Sequence, residues 1–226
     1  MVGMQNVVVG YIHGDHITQE FHHCLFRAFV RDLWGERRIL NFAPQYSGCQ
    51  LSTARNQMVR DMLDQADAEW LWMLDSDATF SGDMLYRLLA HDEPIVGALA
   101  HRIRGTKPIV EESPERDIVP VVYKQERDEN GNWVGYRELE TYGRGLIEAD
   151  ATGCHCLLVH RDVFEKVDTG HPHRWFHESV LSNGALAGED ITFCLAARDA
   201  GFRVMIDTSI EAGHVKPFVM TSKGAR

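Results

Sequence analysis

The sequence has little of what several classes of protein require. No apolar run approaches the length of a membrane span, and residues 1–10 lack a basic segment followed by a long apolar one, so we expect neither a membrane helix nor a signal peptide. Lys and Arg total 23 against 33 Asp and Glu, which argues against binding nucleic acid through a broad basic surface. The five cysteines are scattered and odd in number, which favours reduced thiols over a disulfide framework. We therefore expect a cytoplasmic protein.

The 226 residues, 44% of them hydrophobic, suit a single α/β domain. Short apolar runs alternate with segments of helical periodicity, as in sheets of parallel strands joined by helices. The predicted strands are 7–11, 38–42, 70–74, 94–99, 153–159 and 202–206, and the predicted helices are 18–34, a segment that begins at 52–53, 81–91 and 189–201. A polar segment, 101–142, carries Asn130-Gly131 between two strand-like runs, which predicts an antiparallel hairpin beside the mostly parallel sheet.

The segment 70–80 carries the strongest chemical signal. Five apolar residues run directly into Asp75 and Asp77, which would lie at the carboxyl end of a buried strand, where ligands bind in open α/β sheets. Two close carboxylates repel each other unless a positive charge or a proton lies between them, and hard divalent cations prefer such oxygen ligands. The alternative is that Asp77 merely caps the following helix.

Arg55 and Asn56 are predicted to lie in the first turn of their helix. A cation is unfavourable there, because a helix N-terminus is already the positive end of the helix dipole. A bound anion would relieve the conflict, and so would an ion pair with an acidic residue. The local sequence leaves both possibilities open.

Two later segments offer candidate binding and catalytic groups. An aromatic and histidine-rich loop contains Trp175 and Phe176, which suits either a lid over a substrate or a loop whose rings pack into the core. Glu189 and Asp190 open a helix, where acidic residues are also ordinary partners of the helix dipole. His214, in Gly213-His214, means little by itself.

Taken in order, these segments resemble the GT-A fold glycosyltransferases, most of all the compact family-2 type of bacteria and phages. The matching motifs are Ala54-Arg55-Asn56, Leu74-Asp75-Ser76-Asp77, Gly188-Glu189-Asp190 with the helix that follows, and Gly213-His214. The resemblance implies one GT-A domain over residues 1–226, with a nucleotide-sugar-binding half (1–100) and an acceptor-side half (101–226). It also implies an α/β fold with a Rossmann-like, mostly parallel sheet.

The resemblance assigns a metal site and a donor site. Asp77 would bind Mn²⁺ or Mg²⁺, Asp75 would contact the ribose or a metal-bound water and share in the metal site, and His214 would complete it. The cation would bridge the two phosphates of a UDP- or GDP-sugar. The other donor contacts would come from Tyr11, Arg55, Asn56 and Ser76.

On the acceptor side, the resemblance makes Asp190 the base that takes the proton of the acceptor hydroxyl in an inverting displacement, with Glu189 orienting that hydroxyl. Trp175 and Phe176 would stack on the acceptor or sugar. A protein or small glycan is the expected acceptor, and modified DNA ranks below them because of the net charge of −10.

Other functions remain open at this stage. A retaining transferase would share these motifs. A non-catalytic module that binds sugar nucleotides or glycans is the other alternative, but it would be expected to have lost one of Asp77, Asp190 or His214, and all three are present. A sugar nucleotidyltransferase fits less well, because residues 10–15 lack its glycine-rich, basic signature. The compact type suggests a bacterial enzyme, or a phage-encoded one acting in the host cytoplasm.

Overall fold

The computed structural model describes residues 5–48, 50–104, 118–131, 133–141, 143–180, 184, 186–216, 220–221 and 224–225. The helices in these residues are α1 (Gln19–Trp34), α2 (Leu51–Leu63), α3 (Met84–Leu89), α4 (Arg161–Lys166) and α5 (Glu189–Asp199). The strands are β1 (Val7–His13), β2 (Ile39–Tyr46), β3 (Trp70–Asp75), β4 (Ala78–Thr79), β5 (Ile95–Ile103), β6 (Ile118–Pro120), β7 (Val122–Arg127), β8 (Trp133–Glu138), β9 (Leu146–Ala149), β10 (Ala151–Thr152), β11 (Cys156–His160), β12 (Ser179–Val180), β13 (Leu186–Ala187), β14 (Val204–His214), β15 (Met220–Thr221) and β16 (Gly224–Ala225).

A large central sheet organises the chain. Its strands follow the order β2-β1-β3-β11-β5-β14-β4, with β6 beside β5 and β9 beside β14. β2, β1, β3, β5 and β14 run in one direction, because β11 is antiparallel to both of its neighbours and so preserves the direction across them. The predicted α/β fold with a mostly parallel sheet is therefore confirmed.

Helices cover both faces of this sheet. Alternate residues of β3 show why: Leu71 and Met73 face the core formed with α2, α4 and α5, whereas Trp72 and Leu74 face the core formed with α1 and α3. All four side chains are fully buried, and burial stabilises each by roughly 1.5–3 kcal/mol. A strand buried on both faces must be apolar throughout, which is the pattern of residues 70–74.

The predicted elements differ from the observed ones mainly at their ends. α3 begins at Met84 rather than at Ser81, because residues 81–83 form a turn in which Met84 N donates to Ser81 O. α4, which has only six residues, was not predicted. At Gly10 of β1, a Cβ would lie 2.2 Å from Met58 Sδ, so the glycine makes room for α2.

The predicted antiparallel excursion is only partly described, since residues 105–117, 132 and 142 lie outside the described ranges, as do 181–183 and 185 in the later glycine-containing segment. The hairpin itself is confirmed: β7 pairs with β8 in antiparallel fashion, and Gly131 has a positive φ of 81° between them. That conformation suits glycine, which has no Cβ to clash.

β14 contains a long irregularity that matters for the site. Asp207 pairs with Ala98 of β5, and the next paired residue, Glu211, lies opposite Leu99, so residues 208–210 form an excursion that β5 does not match. The strand then continues to His214, which pairs with Ala78 of β4. Among the described helices, none is long and apolar enough to cross a membrane.

Candidate active site and metal centre

The predicted site residues come from distant segments that meet at one edge of the sheet. β3 and β14 run in the same direction and therefore end at the same edge, and the antiparallel β11 begins there. Asp75 is the last residue of β3, His155 immediately precedes β11, and His214 is the last residue of β14. This is the edge at which open α/β sheets bind their ligands.

Arg55 is the buried centre of a charged network at this edge. Its Nη2 donates to Asp75 Oδ1 at 3.1 Å and its Nε donates to Glu189 Oε1 at 3.2 Å, so one guanidinium links β3 to α5. Burial alone would lower the pKa of Arg55, but the carboxylates of Asp75 and Glu189 outweigh it and the pKa is raised. The ion-pair interpretation of Arg55 is the one that the structure shows.

The helix position of Arg55 also differs from the prediction. Because α2 begins at Leu51, one or two residues earlier than expected, Arg55 and Asn56 lie just beyond its first turn. Arg55 is therefore less exposed to the positive end of the helix dipole than expected, and its side chain contacts two carboxylates.

Asp77, His155 and His214 form a compact cluster. The ligand-type atoms of these three side chains lie within 4.8 Å of one another. Asp77 Oδ2 is 2.9 Å from His214 Nε2, Asp77 Oδ1 is 3.9 Å from His155 Nδ1, and the centroids of the two imidazole rings are 4.3 Å apart. Asp75 Oδ2 lies 3.2 Å from the same Nδ1 of His155.

In each imidazole, the nitrogen on the side away from Asp77 contacts a backbone carbonyl oxygen. His155 Nε2 donates to Gly213 O at 3.0 Å, and His214 Nδ1 faces His101 O at 3.3 Å. Metal-binding histidines use one nitrogen in this way, which fixes the ring and turns the other nitrogen toward the metal. One carboxylate and two such imidazoles therefore fit a divalent cation.

The electrostatics keep both aspartates ionised. Burial raises the pKa of Asp77, but hydrogen bonds from His214 and from Lys216, whose Nζ lies 3.0 Å from Asp77 Oδ2, outweigh burial and leave the pKa below its usual range. Arg55 and His155 do the same for Asp75. Burial lowers the pKa of His155, but the hydrogen bond to Asp75 outweighs burial, so the pKa is raised overall.

Asp190 has the opposite environment. Burial, and then the neighbouring charge of Glu189, raise its pKa to about 6, although Arg55 acts against them. Its Oδ1 accepts from Ile191 N at 2.8 Å, and within the described residues no cationic side chain forms a salt bridge with it. A carboxyl group whose pKa lies near neutral pH is suited to taking a proton.

Two glycines border the Asp190 carboxylate. A Cβ at Gly188 would lie 2.9 Å from Oδ1, and one at Gly153 would lie 3.4 Å from Oδ2. Neither glycine has a positive φ, so the close approach to the carboxylate, rather than the backbone conformation, is what a side chain would disturb there.

Three predicted contacts need correction. Trp175 and Phe176 are core residues: Trp175 Nε1 donates to Phe164 O at 2.7 Å, and the fully buried Phe176 ring stacks on Phe193 with centroids 4.5 Å apart. Buried rings cannot stack on an acceptor, so the core alternative holds for both.

Asn56 is the third correction. Its Nδ2 donates to Phe176 O at 2.7 Å, and its Oδ1 accepts from Phe176 N at 2.9 Å. The amide is buried, and its nitrogen and its oxygen both bind the backbone of Phe176, so Asn56 holds the aromatic loop in place.

Tyr11 and Ser76 lie at the ligand edge of the sheet. Tyr11 is in β1 and partly buried, and the centroid of its ring lies 5.3 Å from that of Phe21 and 5.9 Å from that of His13. Ser76 follows β3 and joins the edge through its backbone: its N–H donates to Ile12 O, and its carbonyl accepts from Thr18.

Comparison with known proteins shows the fold but no sequence family. No family model and no curated protein matches the sequence. The structure of A197 from STIV is similar at a TM-score of 0.54 and 12% identity, over 97% of this chain and 91% of that one. The structure of GalNAc-T7 with UDP, GalNAc and Mn²⁺ is similar at a TM-score of 0.50 and 12% identity, over 96% of this chain and 45% of that one. The chain thus spans less than half of the GalNAc-T7 chain, and it has a GT-A-like fold.

Proposed function

We propose that this protein is a metal-dependent glycosyltransferase, which moves a sugar from a nucleotide-sugar to an acceptor hydroxyl. The observation that carries the proposal is the convergence of Asp77, His155 and His214 at the ligand edge of a GT-A-like sheet. The similarity to GalNAc-T7, whose structure contains UDP, GalNAc and Mn²⁺, supports a nucleotide-sugar as the donor.

The donor in this proposal is a UDP- or GDP-sugar. Asp77 and His214, with Asp75 beside them, would hold Mn²⁺ or Mg²⁺, which as a Lewis acid would neutralise the departing diphosphate. Arg55 keeps Asp75 ionised and in place by their 3.1 Å ion pair. Tyr11 and Ser76 would border the nucleoside, because Tyr11 lies near the carboxyl end of β1 and Ser76 follows β3.

The transfer in this proposal is a direct displacement that inverts the anomeric carbon. As the acceptor oxygen bonds to that carbon, Asp190 takes the hydroxyl proton, and the bond from carbon to phosphate oxygen breaks with its electron pair leaving on the diphosphate. The raised pKa of Asp190 supports this role, because the group is ionised at neutral pH yet more basic than an ordinary carboxylate. Glu189, held by Arg55, fixes the start of α5 and with it Asp190.

The acceptor and the compartment belong to the proposal as well. A protein or a small glycan is the acceptor we favour, because a net charge of −10 gives little general attraction for DNA. The scattered cysteines, of which the four in the described residues are all unpaired, are consistent with work in the cytoplasm.

A thermal-shift screen tests the donor proposal directly. UDP, GDP, CDP and TDP and their sugar forms are added with and without Mn²⁺. A ligand present at one hundred times its Kd stabilises the native state by about 2.7 kcal/mol, which for a chain of this size raises Tm by roughly 5–10 °C. We expect a shift with one nucleotide that requires Mn²⁺, and absence of any shift with all four would contradict the proposal.

A further inference from the structure

His155 is a buried imidazole at the ligand edge that the sequence motifs did not assign. It lies between two buried cysteines, directly before β11, and only 6% of its surface is exposed. A buried histidine needs a partner for each ring nitrogen, and both nitrogens of His155 face the site or its wall.

We propose that His155 is a metal ligand, and that its imidazole makes the site select a transition cation such as Mn²⁺ or Co²⁺ over Mg²⁺. The inference rests on the metal centre of the proposed function and deepens it, since it names which cation the centre prefers. Imidazole ligands suit transition metals, whereas Mg²⁺ prefers an all-oxygen shell that keeps several waters.

The hydrogen bonds of His155 identify the ligating atom. A carbonyl oxygen can only accept, so the contact with Gly213 O places a proton on Nε2. Nδ1 is then the nitrogen that would bind the cation: it is hydrogen-bonded to Asp75 Oδ2 at 3.2 Å and lies 3.9 Å from Asp77 Oδ1, and a bound cation would replace the proton that Nδ1 shares with Asp75. Separations of this size are expected between ligands that share one cation about 2.1 Å from each of them.

His214 has the same arrangement at the end of β14, which β5 separates from β11. Its Nδ1 faces a backbone carbonyl, that of His101, and its Nε2 faces Asp77. The two histidines therefore present one nitrogen each to the same carboxylate, with their far nitrogens anchored on the protein backbone. If His155 served only to link Asp75 to Gly213, the site would not need a second imidazole, that of His214, turned toward Asp77.

The experiment measures metal binding directly. Dissociation constants for Mn²⁺, Co²⁺ and Mg²⁺ are determined by titration calorimetry for the parent protein, for His155→Gln and for His160→Gln. The amide nitrogen of glutamine occupies the place of histidine Nε2, so His155→Gln can still donate to Gly213 O but loses the imidazole. His160 is the matched control, because it lies at the other end of β11, where it caps α4.

We expect His155→Gln to weaken Mn²⁺ and Co²⁺ binding by about tenfold or more, the scale seen when a metal site loses even an indirect support, and to leave Mg²⁺ binding little changed. His160→Gln should bind the metals as the parent does. Pulsed electron paramagnetic resonance of the Mn²⁺-loaded proteins should detect two coordinated imidazole nitrogens in the parent and one in His155→Gln. The measurement on the parent needs no variant to fold.

The outcomes separate this inference from the proposed function. A single coordinated imidazole in the parent, or an unchanged preference for Mn²⁺ over Mg²⁺ in His155→Gln, would overturn the role of His155 and leave a metal-dependent transferase intact. Failure of the parent to bind Mn²⁺ and Co²⁺, even with a nucleoside diphosphate present, would overturn both.

Discussion

Replacing Asp190 by asparagine should inactivate the protein and stabilise it at the same time. Asparagine has nearly the same shape as aspartate and its Oδ1 can still accept from Ile191 N, but it cannot take a proton from an acceptor. We expect the rate of sugar transfer to fall by a factor of about 10²–10⁴, the usual contribution of a general base.

The stability change follows from the pKa. The fold raises the pKa of Asp190 to about 6 from 3.8, so the protonated form fits the folded site better than the charged form. A tenfold change in protonation corresponds to about 1.4 kcal/mol, so the ionised carboxylate costs the fold at most about 3 kcal/mol. The cost is absent below pH 4, develops between pH 4 and 6, and is complete above that range.

Differential scanning calorimetry across pH tests this reasoning. The Tm of Asp190→Asn should match the parent at pH 4 and exceed it by up to about 5–10 °C at pH 7.5. Its neighbour Glu189 supplies the control, because Glu189→Gln removes one of two carboxylates from buried Arg55 and should lower Tm at pH 7.5. A difference between Asp190→Asn and the parent that does not grow from pH 4 to pH 7.5 would refute the argument from burial.

Three further predictions concern single side chains. Asp77→Ala should abolish the Mn²⁺-dependent thermal shift with a nucleoside diphosphate, and a variant that binds as tightly as the parent would show that the metal lies elsewhere. Asn56→Ala should lower the free energy of unfolding in urea by about 2–4 kcal/mol, because it leaves the buried N–H and C=O of Phe176 without partners; a loss below about 1 kcal/mol would mean that the loop finds other partners. Gly188→Ala should reduce kcat about tenfold with little change in Tm, because its Cβ would press on Asp190 Oδ1; parent-like kcat would count against a finely placed base.

Much of the fold is predictable from the sequence because its signals are local. The apolar run 70–74 can only be a strand buried on both faces, and Thr18 begins α1 by accepting from Phe21 N as an ordinary helix cap. α4 has no such signal, since it is short and its cap is the side chain of His160. The antiparallel β11 is also beyond local patterns, because direction depends on which strands it lies between.

The site was harder to predict because its contacts span long stretches of chain. Asp77 and His214 followed from a family resemblance, but His155 reads in the sequence as part of a strand, and its partners Asp75 and Gly213 are 80 and 58 residues away. The signal that could have found it is a histidine at the start of an otherwise apolar strand. For Trp175 and Phe176 the sequence allows either a lid or core packing, and the family resemblance favours contact with the acceptor or sugar, although large rings in such a loop gain more from burial.

The irregularity in β14 separates the length of the chain from the geometry of the site. Residues 208–210 lie outside the pairing with β5, so the pairs that resume at Glu211 and Ala212, and not the number of residues before them, fix the face on which His214 lies. The pairing of His214 with Ala78 of β4 holds the imidazole beside Asp77 from the other side. A change in length within 208–210 would therefore alter the excursion and leave the register of the metal-binding end of β14 in place.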